Sequence, residues 1–280
     1  MFGRKGLDVK TPDQIRKMRV AGVVVGETLE LIGSQASAGR TTGDLDRIAE
    51  DFIRSKGATP SFLGYHGFTG SLCVSVNEEV VHGIPGSKTL RDGDLVSIDC
   101  GAIVDGWHGD AAISLIVGGR QAGSSRDLAL LDATRASMWA GIAALVVGCP
   151  LYDVGAAVQD CIVDAGRADG LTYGIVEGYV GHGIGTEMHQ DPQVPNYRVR
   201  DRGPIVRSGV TVAIEPMITL GSAETDVLGD EWTVVTQDGS RAAHWEQSVA
   251  VTDAGIWVLT ALDGGQEQLA ALGASYAPLT

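Results

Sequence analysis

RDGDLVSID, residues 91–99, returns as RSGVTVAIE at residues 207–215. The two stretches match at an arginine, a glycine, a valine and an isoleucine, and each carries an apolar strand into a carboxylate, Asp99 or Glu215. Two further pairs occur in the same order. GRTTGDLD (39–46) resembles GCPLYDVG (148–155), each opening a helix after a glycine, and WHGDAAISL (107–115) resembles AHWEQSVAV (243–251), each with a histidine two residues before an acid. The offsets grow from 109 to 116 to 136, as expected if the second half gained loop insertions. Each match alone is weak, because Gly-Val-rich strands look alike. Three in one order indicate a duplicated unit. Two copies are too few for a solenoid, so the expected architecture is one domain with a pseudo-two-fold axis. Near that axis Asp99 is expected to face Glu215, and Asp110 to face Glu246.

The elements around these repeats are legible. Thr11-Pro12-Asp13-Gln14 carries a helix N-cap, a proline at the first helical position and a capping box. That helix is expected to run to about Ile32. A second is expected from Thr42 to Gly57, with Leu45, Ile48, Ala49 and Phe52 on one face. A glycine-rich loop, SFLGYHGFTGS, precedes the strand-like LCVSV, DLVSIDCGAIV and AAISLIV. Asp105-Gly106 reads as a hairpin turn. A helical pair is expected over 125–147 and 151–166. GVTVAIEPMITL (209–220) then reads as one strand, followed by a hairpin region ending in HWEQSVAVTD.

Composition excludes several roles. The 280-residue chain is 44% hydrophobic and 20% charged, ordinary for a globular protein, and can bury a large core. The apolar run GIAALVVG (141–148) is far too short to cross a bilayer. The basic start MFGRKGLDVKTPDQ is followed by no apolar segment, so no signal peptide is expected and a cytoplasmic location is. A net charge of −14 disfavours phosphate backbones, so direct nucleic-acid binding is not expected. Cys73, Cys100, Cys149 and Cys161 show no CxxC spacing and read as reduced thiols.

The chemistry sits in the acids. Asp99, Asp110, Glu215 and Glu246 lie in or beside apolar strands, where an uncompensated charge is costly, and lysines and arginines are scarce nearby. Any one could be a solvated strand-end acid. Four at repeat-related positions point to a pair of divalent metals, completed by a histidine. GHGIGTEMH (181–189) supplies two histidines, His182 and His189, among glycines that allow close approach to the backbone. His82 lies in a similar Gly/Pro loop, VHGIPG (81–86). His66 reads as incidental at this level. His108 and His244 read as incidental or as partners behind the ligands.

VHGIPG, SIDCGAIVDGWHGDAA (97–112), GHGIGTEMH, AIEPM (213–217) and HWEQSVAVT (244–252) resemble, in order and spacing, the motifs of type I methionine aminopeptidases, from about Thr11 to Thr260. The resemblance implies the α+β "pita-bread" fold, in which duplicated αβ halves share a central antiparallel sheet covered by helices. It implies a single catalytic domain over 11–262, with repeats roughly at 39–120 and 148–255, an N-terminal tail over 1–10 and a C-terminal tail over 263–280. It implies removal of the initiator methionine from nascent chains with a small second residue, by attack of a metal-activated hydroxide on the first peptide bond. Asp99, Asp110 and Glu246 would bind one metal, and Asp110, His182, Glu215 and Glu246 the other. Glu215 would accept a proton from the water, His189 would hydrogen-bond the developing oxyanion, and His82 would contact the peptide group or leaving amine. Phe62, Tyr65, His66, Phe68, Cys73, Met188 and Trp232 would line the methionine pocket.

Three positions depart from the family pattern: Met188 where Phe is common, Gln247 where His is usual, and Phe68 where Tyr is common. None removes a metal ligand. The metals would be Co, Mn, Fe or Zn, since a carboxylate-rich site with one histidine admits any of them. The expected partners are nascent polypeptide N-termini and, transiently, the ribosome, with no membrane and a monomeric state. The alternatives are a proline-directed aminopeptidase on the same fold, which typically carries an extra N-terminal domain, and a non-catalytic binding module, which typically loses ligands.

Overall fold

The computed structural model describes residues 7–279. Helix α1 (Pro12–Gln35) starts at the expected capping box, with Gln14 N donating to Thr11 Oγ1 at 3.3 Å and Thr11 N donating to Gln14 Oε1 at 2.8 Å. Ile15, Met18, Val25, Leu29 and Ile32 bury one stripe at three- and four-residue steps. Gly33 does not end the helix, which runs three residues past the expected stop at Ile32 to Gln35; a Cβ at Gly33 would meet Ile113 on the sheet at 3.4 Å. Helix α2 (Thr42–Ser55) buries Leu45, Ala49 and Ile53, while Ile48 and Phe52 are only half-buried at its edge. Helices α3 (Ser125–Ala143) and α4 (Asp153–Asp169) form the second pair. α4 outlasts the expected end at 166 because Gly170, at φ 66°, supplies the left-handed cap.

The main sheet explains the repeat. Its strands run in the order 59–60, 95–104, 107–116, 246–252, 211–214, 181–183, 190–194, with 72–76 added on 95–104 and 255–258 on 246–252. All pairings are antiparallel. The repeat-related strands 107–116 and 246–252 lie side by side, and their repeat-related neighbours 95–104 and 211–214 flank them on either side. The pseudo-two-fold therefore passes between the inner pair. Only the inner half of the facing expectation holds. Glu246 pairs with Ala112, placing it diagonally from Asp110, whereas Asp99 stands on one outer strand and Glu215 directly follows the other, and these two strands do not pair with each other. Val104 pairs with Trp107 across Asp105-Gly106, whose φ values of 49° and 80° give the doubly left-handed turn expected there.

GVTVAIEPMITL is two strands, not one. Thr211–Ile214 belongs to the main sheet and Met217–Thr219 to a second sheet with Gly174–Ile175 and Ala242–His244. Pro216 has no N–H for the ladder, so pairing breaks there. The partner chain segment breaks at the same level: Met217 pairs with His244, Gln247 pairs with Ile214, and Trp245 N reaches Pro216 O at 3.4 Å between them. Glu215 and Glu246 thus sit where two strands change sheets together.

Neither end of the described chain trails away from the domain. Lys10 is buried, Val9 bridges to Val210, and Lys10 N bonds Gly209 O at 2.8 Å; residues 1–6 of the expected N-terminal tail lie outside the described residues. The segment expected as a tail over 263–280 is also packed, up to residue 279. It carries helix α5 (Gln266–Ala271) with Leu269 in the core, and Ile256 N bonds Ser275 O at 2.8 Å. Arg19 holds the preceding turn by donating to the carbonyls of Leu259, Ala261 and Leu262.

α1 lies close against the back of the sheet. A Cβ on Gly22 would strike Leu259 O, and one on Gly109 would stand 2.8 Å from Gly22 Cα. Alanine at a free helix position gains about 1 kcal/mol over glycine. Here backbone must move instead, so Gly22→Ala is expected to lose about 1–3 kcal/mol, the usual cost of overpacking, read as a lower urea midpoint at unchanged m-value.

Candidate active site

Strands 95–104 and 107–116 deliver Asp99 and Asp110, the sheet change delivers Glu215 and Glu246, and strand 181–183 delivers His182. One ligand atom each from Asp110, His182 and Glu246 lies within 4.8 Å of the others. Asp99 and Asp110 are within hydrogen-bonding distance of each other, and His182 Nε2 stands 3.4 Å from Glu215 Oε1. The structure thus brings together all five sequence-expected ligands.

The electrostatics of the cluster are those of buried acids without cationic side chains. Among the described residues no lysine or arginine pairs with any of its acids. Burial raises Asp99 to about 7, and raises Asp110, Glu215 and Glu246 well above the ordinary carboxylate range, with repulsion among the acids adding to burial for these last three. Asp99 Oδ1, Asp110 Oδ1, Glu246 Oε1 and His244 Nε2 are buried without any hydrogen-bond partner. Orphaned buried acceptors of this kind need an explanation. Divalent cations fit them: hard oxygen donors plus one imidazole, converging from both halves of the fold.

The two histidines of GHGIGTEMH do different things. His182 Nδ1 lies 2.9 Å from Gly183 O, which can only accept, so Nδ1 carries the proton and Nε2 presents a lone pair to the acids. Burial, then His189, lowers its pKa to about 3, keeping the ring neutral. His189 packs edge-on to His182 at 4.3 Å between ring centroids, and its Nδ1 meets the Tyr65 hydroxyl at 2.8 Å. His82 has φ 59°, a strained value for a non-glycine residue, and is fixed by its neighbour: Gly83 N donates to Ser75 Oγ, and a Cβ on Gly83 would strike Val74 O. Burial, then His189, holds His82 down at about 4.

A cavity of about 280 Å³ joins the acids to an apolar wall. Phe62, Phe68, Cys73 and Met188 form a buried cluster, with Tyr65 and Trp232 packed on it and Phe68 edge-on to Trp232 at 5.1 Å. His66 does not join them. Its φ of 47° turns it outward, where it is exposed and stacks edge-on against Tyr65. Tyr179 and His244 also line the cavity. Tyr179 carries no signal in the sequence beyond sitting two residues before GHGIGTEMH; of the two alternatives open for His244, the structure favours a partner behind the acids, since its Nε2 comes within 4.0 Å of both Glu215 and Glu246. His108 instead bonds Ser61 Oγ at 3.0 Å, outside the cavity lining. A wider cleft of about 550 Å³ shares Val180, His182, His189 and Gln193 with the cavity and opens it to solvent.

Of the three departures, Met188 and Phe68 keep the wall apolar. Gln247 points away from the acids: strand alternation turns it to the other face, where Thr260 Oγ1 donates to its Oε1 at 2.6 Å. Gln247→Ala is therefore expected to cost about 1 kcal/mol of stability, one buried hydrogen bond, read as a lower urea midpoint at unchanged m-value.

The model of metallopeptidase family M24 matches residues 16–253. The chain belongs to metallopeptidase family M24. Within that family it is 53% identical to methionine aminopeptidase 1 of Mycobacterium tuberculosis, over 92% of this chain and 96% of that protein. It is 44% identical to methionine aminopeptidase 1 of Bacillus subtilis, over 90% and 98%. The crystal structure of methionine aminopeptidase from Thermotoga maritima superposes with TM-score 0.86 at 38% identity, covering 91% of this chain and 99% of that one. Prolidase from Pyrococcus furiosus shares the fold alone, with TM-score 0.68 at 19% identity, and this chain spans 65% of its length. The chain has the pita-bread fold that the resemblance implied, with the pseudo-two-fold that the repeat implied. None of its described helices is long and apolar enough to cross a membrane.

Proposed function

We propose that this protein removes the N-terminal methionine from nascent proteins and peptides whose second residue is small. The carrying observation is the cavity itself, in which one wall of Phe62, Phe68, Cys73, Met188 and Trp232 meets a floor of buried, unpaired acids. An unbranched thioether suits the first, since aromatic edges contact sulfur favourably. Two divalent ions of Co, Mn, Fe or Zn suit the second and would be held by Asp99, Asp110, His182, Glu215 and Glu246. Bound there, such ions supply Lewis acidity to the scissile carbonyl and make a water acidic enough to attack at neutral pH.

The chain's own groups complete the chemistry. Glu215 accepts the proton of the attacking water. His189 donates to the carbonyl oxygen as charge develops on it, and His82 contacts the peptide group or the departing amine. The apolar wall orients the methionine and excludes bulk water from the reacting bond. The assignment extends to a cytoplasmic, monomeric enzyme that meets nascent chains, transiently at the ribosome, and binds no nucleic acid directly.

The test is methionine release by metal-loaded protein from Met-Ala-Ser and Met-Lys-Ser. The reading expects cleavage of the first and little of the second. Preference for a proline-containing peptide would move the protein to the proline-directed peptidases, and a well-folded protein inert on all of them would mark a binding module.

A further inference from the structure

The two histidines of residues 181–189 differ in what meets Nδ1. At His182 it is a carbonyl, which fixes the Nδ1–H form. At His189 it is the hydroxyl of Tyr65, at 2.8 Å, which can donate or accept. The chemistry of the pair decides between these. In a neutral imidazole one ring nitrogen carries the proton and the other is bare. A phenol is a strong donor and a poor acceptor, whereas a bare imidazole nitrogen is a strong acceptor. The favoured arrangement has Tyr65 donating to Nδ1, which leaves the proton of His189 on Nε2.

We infer that Tyr65 is a positioning residue that holds His189 in the Nε2–H form, so that this nitrogen donates into the cavity. One loop thus carries two neutral imidazoles in opposite forms: His182 with an Nε2 lone pair toward the acids, His189 with an Nε2 proton for an oxygen acceptor. The inference rests on the proposed role of His189 toward the substrate carbonyl, and gives Tyr65 a function beyond apolar lining. The placement supports this. Tyr65 is half-buried in the 61–71 loop, with its ring tilted at 50° to His189. Asp46 Oδ1 anchors the end of that loop by accepting from Ser71 N and Leu72 N at 2.7 and 2.8 Å. The loop also closes on itself through Tyr65 N to Phe62 O and Phe68 N to Tyr65 O, both at 2.9 Å. The hydroxyl is therefore free of any structural duty within the loop.

The test is Tyr65→Phe, which keeps the ring and the apolar wall and removes the hydroxyl alone. Long-range ¹H–¹⁵N correlation spectra of histidine-labelled protein report which ring nitrogen is protonated, in the metal-free and the zinc-loaded, diamagnetic states. His189→Ala identifies the resonances by their loss. The expected result is a bare Nδ1 and a protonated Nε2 at His189 in the native protein, and a mixture of both forms in Tyr65→Phe. With Met-Ala-Ser, kcat is expected to fall on the order of tenfold, the lower part of the range for impairing one transition-state donor, while KM moves less than about twofold because uniform binding is untouched. A native His189 protonated on Nδ1 would overturn the inference, as would a Tyr65→Phe protein with native spectra and native kcat. If His189→Ala itself turns over normally, the fault lies with the proposed role of His189, and the spectra still decide the form it adopts.

Discussion

Asp110→Asn is expected to give a folded protein that binds fewer divalent ions, turns over Met-Ala-Ser at least about 10³-fold more slowly and, without metal, melts higher than the native chain. The loss follows from position. Asp110 is within 4.8 Å of both His182 and Glu246 and within hydrogen-bonding distance of Asp99, so its carboxylate is common to the whole cluster. A metal contributes several kcal/mol of transition-state charge stabilisation, and several kcal/mol is about three powers of ten in rate. The gain in metal-free stability follows from the same geometry. Burial and the charges of Asp99 and Glu215 all oppose ionisation of Asp110, and Oδ1 has no partner to lose. Folding at neutral pH must therefore protonate a carboxyl that is ionised in the unfolded chain, and an amide of the same shape escapes that cost. About 1 kcal/mol would raise the midpoint by about 2–4 °C in a chain of this size. Manganese should then raise the native midpoint, because it binds only the folded state, and should raise that of the variant much less. Calorimetry with and without metal reads both signs.

His189→Ala is expected to lower kcat by about 10²–10³-fold, the cost of removing one preorganised donor from a developing oxyanion, with metal content unchanged. The separation is the point of the measurement. His189 lies beside His182 but reaches none of the buried acids through a hydrogen bond or ion pair among the described residues, and its ring is held instead by Tyr65. Steady-state kinetics with metal analysis of the same sample distinguish a role in the reaction from a role in holding the ions. A drop in metal content parallel to the drop in kcat would reassign His189 to the metal centre.

Much of the fold was legible because charge in an apolar strand is costly. Asp99 and Glu215 at repeat-related positions exposed the duplication, and Asp105-Gly106 fixed the hairpin that carries Asp99 and Asp110. The break at Pro216 was missed although its cause is in the sequence: β-periodicity continues across GVTVAIEPMITL, and only the missing N–H of proline interrupts it. The packing of residues 263–279 had no local signal, since it depends on Leu269 meeting a core built by α3 and the second-half strands. The site divides in the same way. Side chains announced by chemistry out of place, such as Glu246 beside SVAV, could be chosen from sequence. Tyr179 and the Tyr65 hydroxyl enter the site through tertiary approach, and His66 leaves it through a left-handed backbone, neither of which spacing reveals; spacing raised His108 and His244 alike, and only tertiary approach separates them.

The most direct measurement is release of free methionine from Met-Ala-Ser by metal-stripped protein, before and after addition of Mn²⁺ or Co²⁺. The account predicts no release from the stripped protein and sustained turnover once metal is restored. Folded protein that takes up metal and still releases no methionine, or stripped protein that cleaves as well as the loaded form, would contradict it.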